Sequence, residues 1–316
     1  MRSSKSTFAC PACGALSVAG EQLVGRDNMH GLPGTFAVAT CAECGSGVTL
    51  PLLPASELGQ FYPDGYYSYV LPERRSSRAL ALALIRRRGD KALRSSPLNV
   101  LASMPPGNLL DVGCGRGDIG SAFVARGWTV SGVEPSEDAC IAARERDIDA
   151  FAGTLEEAPF PPGHFDAILF QHSLEHVAVP REDIRRAREL LRPGGVLIIS
   201  LPNFASWQRR RFQADWRHLD VPRHRTHFTS SGLRQLLGDS GFTQIATSTT
   251  SSPDGLPMTV FHKLTQRPVP SSRVVGYALM VVMPVLGLAG RVADRHHGDG
   301  DVLHAVARKP TPDSSS

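Results

Sequence analysis

The run Leu109-Leu-Asp-Val-Gly-Cys-Gly-Arg-Gly-Asp118 decides the fold. It carries an apolar stretch into a glycine-rich turn. Twenty-three residues after Asp111, a second apolar run, Trp128-Thr-Val-Ser-Gly-Val133, ends in Glu134. A strand, a turn that opens a helix, and a second strand tipped by an acid describe a nucleotide-binding βαβ unit. The glycines let the backbone approach a ligand closely, and the late acid suits a ribose diol.

Charge decides which nucleotide. Gly115, Gly117 and Gly120 have the spacing of a dinucleotide fingerprint. A pyrophosphate at the helix N-terminus, however, would lie within reach of Asp111 and Asp118, both anionic at neutral pH. S-adenosylmethionine offers the same adenosine without phosphate, and an aspartate at the strand end attracts its sulfonium and ammonium. The acid therefore favours a methyl donor over NAD. An ordinary tight turn would use the glycines but needs neither acid.

Four of the six cysteines form two CxxC pairs, Cys10-Pro-Ala-Cys13 and Cys41-Ala-Glu-Cys44, each followed by glycine. Thiolates at that spacing suit tetrahedral zinc, and four protein ligands leave no open position, so the metal is expected to be structural. Two disulfides or a redox CxxC are the rival readings. The first ten residues lack an apolar h-region and a cleavage pattern. A reducing, cytoplasmic setting follows as the expectation, and it favours zinc. Cys114 and Cys140 read as buried packing.

With 316 residues, 41% hydrophobic and 20% charged, the chain suits one large α/β domain and a small accessory module. A net charge of +4 does not imply nucleic acid, but the basic residues cluster. Eight lie between Leu71 and Val100, and the stretch Ser206–His227 holds six arginines and three histidines. Each cluster reads either as a solvated face or loop, or as a binding surface.

Residues 1–50 are expected to form a zinc-ribbon-like module with a hairpin at each knuckle. Residues 51–104 carry the aromatic cluster Phe61-Tyr-Pro-Asp-Gly-Tyr-Tyr-Ser-Tyr69 and a basic helix over 72–98. The cluster is either a lid over the cofactor or packing between module and main domain. Residues 105–310 alternate strand and helix, and 311–316 read as a disordered tail. The strands are expected at Leu109–Val112, Thr129–Val133, Asp149–Ala152, Phe165–Phe170, Val196–Ser200, Gln244–Ser248 and Val302–Arg308. Helices are expected at Ile119–Arg126, Glu137–Arg146, Ile184–Leu191 and Ser230–Gly241. The result is a doubly wound, seven-stranded Rossmann-like α/β sheet.

Over residues 105–310 the chain resembles class I S-adenosylmethionine-dependent methyltransferases. The matching segments are Leu109–Gly117, the acid Glu134, Gly153-Thr-Leu-Glu-Glu-Ala-Pro-Phe160, Phe165-Asp166, Ser173-Leu-Glu-His-Val177 and Leu191-Arg-Pro-Gly-Gly195. The resemblance implies Asp111, Gly113, Gly115, Glu134 and Leu155 as cofactor contacts, with Gln171 near the methionine group. Thr154 stands where relatives often have aspartate, which puts the adenine amino contact in doubt. The CxxC pairs, the tyrosine-rich segment, Leu201-Pro-Asn203, Trp216–Phe228 and Gly298–Lys309 are similar to bacterial methyltransferases of polysaccharide and sugar pathways. The ribbon is similar to that of deoxysugar C-methyltransferases, and Leu174-Glu-His176 to ubiquinone O-methyltransferases.

A hydroxyl acceptor must lose its proton, and histidine is the usual base at neutral pH. His172, His176, His224 and His227 follow the fourth and fifth strands, whose C-terminal ends border the site in such sheets. His176 and His227 lead, with His224 beside them, and a loop-capping role is the alternative for each. Related ubiquinone enzymes place a divalent ion at an acidic form of His172-x-x-Glu175-His176. One carboxylate and two imidazoles suit magnesium poorly.

Val274–Gly290 is uncharged and lies between Arg273 and Arg291. As a helix it spans only about 25 Å, short of a bilayer core, and Pro284 is expected to interrupt it. It roofs the acceptor pocket, dips into the inner membrane face, or is a buried core helix. The sequence thus favours methylation, at oxygen or at carbon, of a small molecule, sugar or lipid-linked glycan. An RNA base methyltransferase, with Arg86–Arg88 and Arg209–Arg211 as phosphate contacts, ranks below it.

Overall fold

The computed structural model describes residues 7–18, 22–62, 97–266 and 273–311. The expected basic helix, most of the aromatic cluster, Arg86–Arg88 and the last five residues lie outside them. Both cysteine knuckles sit at hairpin turns. β1 (Thr7–Ala9) pairs antiparallel with β2 (Leu16–Val18) around the first. β3 (Gln22–Gly25) pairs with β4 (Phe36–Thr40), which pairs with β5 (Gly47–Leu50) around the second.

The main sheet begins with β6 (Asn108–Val112), β7 (Thr129–Glu134) and β8 (Asp149–Ala152), three parallel neighbours. The chain then returns to the other side of β6 as β9 (Phe165–Gln171), followed outward by β10 (Leu191–Pro202). β12 (Thr243–Thr250) lies at the edge, and β13 (Val302–Arg308) inserts antiparallel between it and β10. The order is β12-β13-β10-β9-β6-β7-β8. The inner strands are continuous apolar runs because helices cover both faces; Leu109, Leu110, Ile168, Leu169, Ile198 and Ile199 are all fully buried. The sheet reverses direction between β6 and β9, the place where such folds open a ligand crevice.

Local signals explain several helix starts. Ser136 caps Glu137–Arg144 by accepting from the Ala139 N–H, with two acids in the first turn. Pro180 occupies the first turn of Pro180–Leu190. β10 extends from Leu191, with a register shift before Val196.

Two sequence expectations need correction. The apolar segment does not break at Pro284. It belongs to one helix, Arg273–His297, whose C-terminal half is held by packing that outweighs the lost proline hydrogen bond. Gly287 and Gly290 let it approach Pro253 and Leu256 closely, and His297 stacks on Trp207 with ring centroids 5.1 Å apart. The second correction is a helix the pattern did not suggest, Gly255–Thr265. Among the described residues, no helix is long and apolar enough to cross a membrane.

The cysteine module is not a separate bead. A two-residue strand, β11 (Thr226–His227), leaves the main domain and pairs with β5, so the module's sheet reads β11-β5-β4-β3. Cys10, Cys13, Cys41 and Cys44 belong to the same apolar cluster as Leu190, Phe228 and Leu233.

Candidate functional site

The glycine turn after β6 is tied to β7: the N–H groups of Gly113 and Cys114 both donate to the Val133 carbonyl, at 2.7 and 3.2 Å. Gly113, Gly115 and Gly117 all have positive φ, a conformation that costs glycine little. A side chain at Gly113 would also overlap Ser173, whose hydroxyl donates to the Val112 carbonyl at 2.6 Å. The loop after β9 is thereby pressed against the turn.

This turn gathers acceptors without donors. Asp111 is 2% exposed, and neither its Oδ1 nor Gln171 Oε1 has a hydrogen-bond partner among the described residues. Burial, helped by the Glu134 charge, pushes the Asp111 carboxyl up to about 7. Glu134 accepts from the N–H of Gly115 at 3.0 Å and of Ser136 at 3.1 Å, and burial raises it as well. Orphaned buried acceptors beside two carboxylates fit a cationic, hydroxyl-bearing ligand such as S-adenosylmethionine. Leu155 is buried in one cluster with Val112 and Val133. The Thr154 hydroxyl and N–H are both turned to Glu157, at 2.8 and 2.9 Å.

The predicted histidines converge on the far side of the β9 loop. His176 and His224 meet edge to face with centroids 4.7 Å apart, and His227 lies 6.3 Å from His224. Under them sits Glu175, 1% exposed, with no hydrogen bond to either oxygen among the described residues. Its Oε1 is 3.5 Å from His172 Nδ1 and 3.9 Å from His224 Nε2. Burial would raise this carboxyl, but His172, His176 and His224 hold it down at about 2. Burial in turn lowers His176, and takes His224 to about 4 and His227 to about 3, so the rings are neutral at pH 7. His224 Nδ1 lies 2.9 Å from the His218 carbonyl. A carbonyl only accepts, so the proton of neutral His224 is on Nδ1, and its Nε2 lone pair faces Glu175 and Asp220. Glu175, His176 and His224 bring ligand atoms within 4.8 Å of one another; the His172-based set in the sequence lacked His224.

Three participants were not singled out from sequence. The Tyr62 hydroxyl lies 3.0 Å from His176 Nδ1, and the tyrosine-rich segment was the signal for it. Thr49, on β5, meets His227 Nε2 at 2.9 Å. Arg223 is fully buried and bonds Asp27 at 2.5 Å, Asp220 at 2.6 Å and the Phe61 carbonyl at 2.9 Å. It locks the module and the Phe61 segment to the histidine loop. Burial opposes the Asp220 charge, but Arg223 holds that carboxyl well below the usual range. Arg223 is therefore no solvated cation, although it lies in the basic stretch.

The four cysteines meet as their spacing required. All are buried, with Sγ atoms within 4.8 Å of one another; Cys10–Cys44 is 3.6 Å and Cys13–Cys41 is 3.7 Å. A zinc–sulfur bond of about 2.3 Å in a tetrahedron implies sulfurs about 3.8 Å apart, so the set fits a structural zinc. Without a metal, the Cys10–Cys44 contact lowers one thiol of the pair and raises the other, as two sulfurs sharing one proton do.

Residues 82–247, more than half of the chain, match the family model described as a methyltransferase domain. The chain is 34% identical over 149 residues to an uncharacterized protein of Mycobacterium tuberculosis, covering 46% of this chain and 51% of that one. It is 32% identical over 118 residues to a ubiquinone biosynthesis O-methyltransferase of Pseudomonas paraeruginosa, covering 35% and 51%. The matches thus span about half the length of these curated relatives. Its fold is similar to that of Haemonchus contortus phosphoethanolamine N-methyltransferase 2 in complex with S-adenosylmethionine, at a TM-score of 0.51 and 16% identity over 84% of this chain and 62% of that one. With the sheet order, the glycine turn and its two acids in place, the chain belongs to the methyltransferase domain family.

Proposed function

We propose that the protein is an S-adenosylmethionine-dependent methyltransferase acting on a hydroxyl of a sugar, glycan or lipid-linked small molecule. One observation carries this reading: a single loop, Gln171–Val177, joins an orphaned cation-seeking pocket to a buried Glu–His cluster. Asp111 and Gln171 hold the methionine end, Glu134 the ribose diol, and Leu155 lines the adenine side. Bound S-adenosylmethionine would supply a sulfonium methyl to the acceptor oxygen, with the neutral thioether as the leaving group.

The protein's own part is alignment and proton removal. His224 and His227 border a gap of about 160 Å³ lined also by Glu175, Phe204 and Trp216, too narrow for a sugar. His176 is the ring of the three that stays partly exposed, so it is the base that an acceptor meets. In the tautomer that serves as base, His176 Nδ1–H donates to the Tyr62 oxygen and Nε2 presents a lone pair. Glu175 then stabilises the imidazolium that forms, as a carboxylate beside a catalytic histidine does.

The acceptor class is supported by the helix Arg273–His297. Val285, Leu288 and Val292 are 69%, 62% and 59% exposed, and spacings of three and four residues place them on one face. Arg291 and Arg295 are exposed nearby, which suits an anionic membrane face carrying a lipid-linked acceptor. The RNA reading is weaker because Arg209 stacks over Phe204 at 4.2 Å and Arg210 pairs with Asp299 at 3.0 Å. The test supplies methyl-labelled S-adenosylmethionine with nucleotide sugars, a lipid-linked glycan fraction or RNA. Label on a glycan or sugar oxygen is expected, and label on RNA bases alone would overturn the reading. Wild type should sediment with phosphatidylglycerol vesicles, and a V285S/L288S/V292S variant should stay in solution. Equal sedimentation of the two would remove the membrane face.

A further inference from the structure

The cysteine module touches the histidine cluster through one side chain. Thr49 is 2% exposed and follows the two residues of β5 that pair with β11. Its Oγ1 lies 2.6 Å from the His224 carbonyl oxygen and 2.9 Å from His227 Nε2, while its N–H donates to the Arg225 carbonyl at 3.0 Å. A threonine hydroxyl has one proton, and a carbonyl can only accept. The proton therefore goes to His224, and the hydroxyl oxygen must accept from His227 Nε2–H. That bond fixes the His227 tautomer, leaving the lone pair on Nδ1, while the bond to its carbonyl anchors His224, whose ring packs on His176.

The anchor is continuous with the metal site. The Thr229 hydroxyl donates to the Cys44 carbonyl at 2.6 Å and accepts from Gly232 N–H at 3.1 Å, capping helix Ser230–Asp239. Ser46 Oγ accepts from Thr229 N–H at 3.2 Å. A side chain at Gly232 would overlap Ser46, with Cys44 Sγ only 3.2 Å away. The second knuckle therefore holds both ends of the segment 224–229, from Thr49 at one end and from Cys44 and Ser46 at the other.

We infer that Thr49 is a positioning residue, which sets the His227 tautomer and the His224 backbone, and that zinc at the four cysteines serves the acceptor side through it. The inference rests on the proposed base cluster, but its test needs no turnover. Zinc-loaded, 15N-histidine-labelled protein is compared as wild type, Thr49→Ser and Thr49→Val. In wild type and Thr49→Ser, the His227 Nε2 resonance should lie in the N–H region. In Thr49→Val, which keeps shape and loses the hydroxyl, it should shift toward the tautomer-averaged region, with zinc content and S-adenosylmethionine affinity unchanged. Removing zinc with a chelator should move the same resonance and leave that affinity unchanged. An Nδ1–H tautomer in wild type, or an unmoved resonance in zinc-loaded Thr49→Val, overturns the inference. If Thr49→Val does not fold, wild type and the chelated sample still decide it, since an unmoved His227 without zinc refutes the coupling. Loss of methyl transfer to every acceptor tested would bear on the base assignment and not on the tautomer.

Discussion

The two halves of the proposed site carry different electrostatic problems. On the proposed cofactor side, Asp111 Oδ1 and Gln171 Oε1 are left without donors and two carboxylates are buried together, so the pocket suits a cation. On the proposed acceptor side, Asp220 has the Arg223 guanidinium, while Glu175, whose oxygens also lack hydrogen bonds among the described residues, lies among His172, His176 and His224. The first half leaves acceptors for a ligand's own cations. The second surrounds its unbonded carboxylate with imidazoles that can take up a proton, so its demand is met when a neighbouring ring becomes charged.

The contrast predicts where substitutions act. Replacing the proposed base, His176→Ala, should lower kcat by about 10²–10⁴-fold, the usual share of general-base catalysis, with S-adenosylmethionine affinity unchanged by calorimetry. A matching loss of cofactor affinity would erase the division between the halves. Arg223→Met leaves Asp27 and Asp220 buried without their cation. It should cost about 3–5 kcal/mol in urea unfolding, and a cost under about 1 kcal/mol would mean the cluster is not desolvated. Glu134→Ala should weaken S-adenosylmethionine binding by about 1.5–3 kcal/mol, the range for hydrogen bonds to a charged group, with unfolding midpoints barely moved.

The smallest effect is one of pH. Asp111 in the ligand-free protein titrates at about 7, and only its ionised form attracts the ligand's cations. Below that pH, binding should weaken by about tenfold per unit. The sign for stability is the reverse. A carboxyl raised by folding penalises the native state fully above its folded value. Acidification from pH 7 toward 4 should therefore relieve the free protein, while the complex loses affinity. Flat binding between pH 8 and 6 would show that Asp111 does not face the ligand's charge.

The geometry of the proposed cofactor half was legible because it is local. Asp111, the three glycines and Glu134 lie within one βαβ unit, and strand, turn and strand each leave a pattern in the sequence. The two CxxC pairs were legible for the same reason. The acceptor half yielded its histidines, but not what holds them. Arg223 reads as one more cation in a basic stretch, and only Asp27, 196 residues away, turns it into a buried lock. Thr49 has no signature at all. Its role exists because β11 crosses into the module's sheet. Helix Gly255–Thr265, with Pro257 and three β-branched residues, has weak intrinsic propensity, and it forms against the helix Arg273–His297. That helix likewise runs through Pro284 because of contacts rather than preference.

The pairing of β11 with β5 also has a consequence in time. Thr49 and His224 are 175 residues apart, so on the ribosome β5 is made long before the strand that covers it. At about 5–20 residues per second, that interval is on the order of ten seconds. Throughout it, Gly47 and Val48 are an open strand edge, a template for wrong pairing. The partner, when it comes, is two residues long and covers little more than that edge. Early metal capture by the two knuckles would keep the edge short and its register fixed while the rest of the chain is still being made.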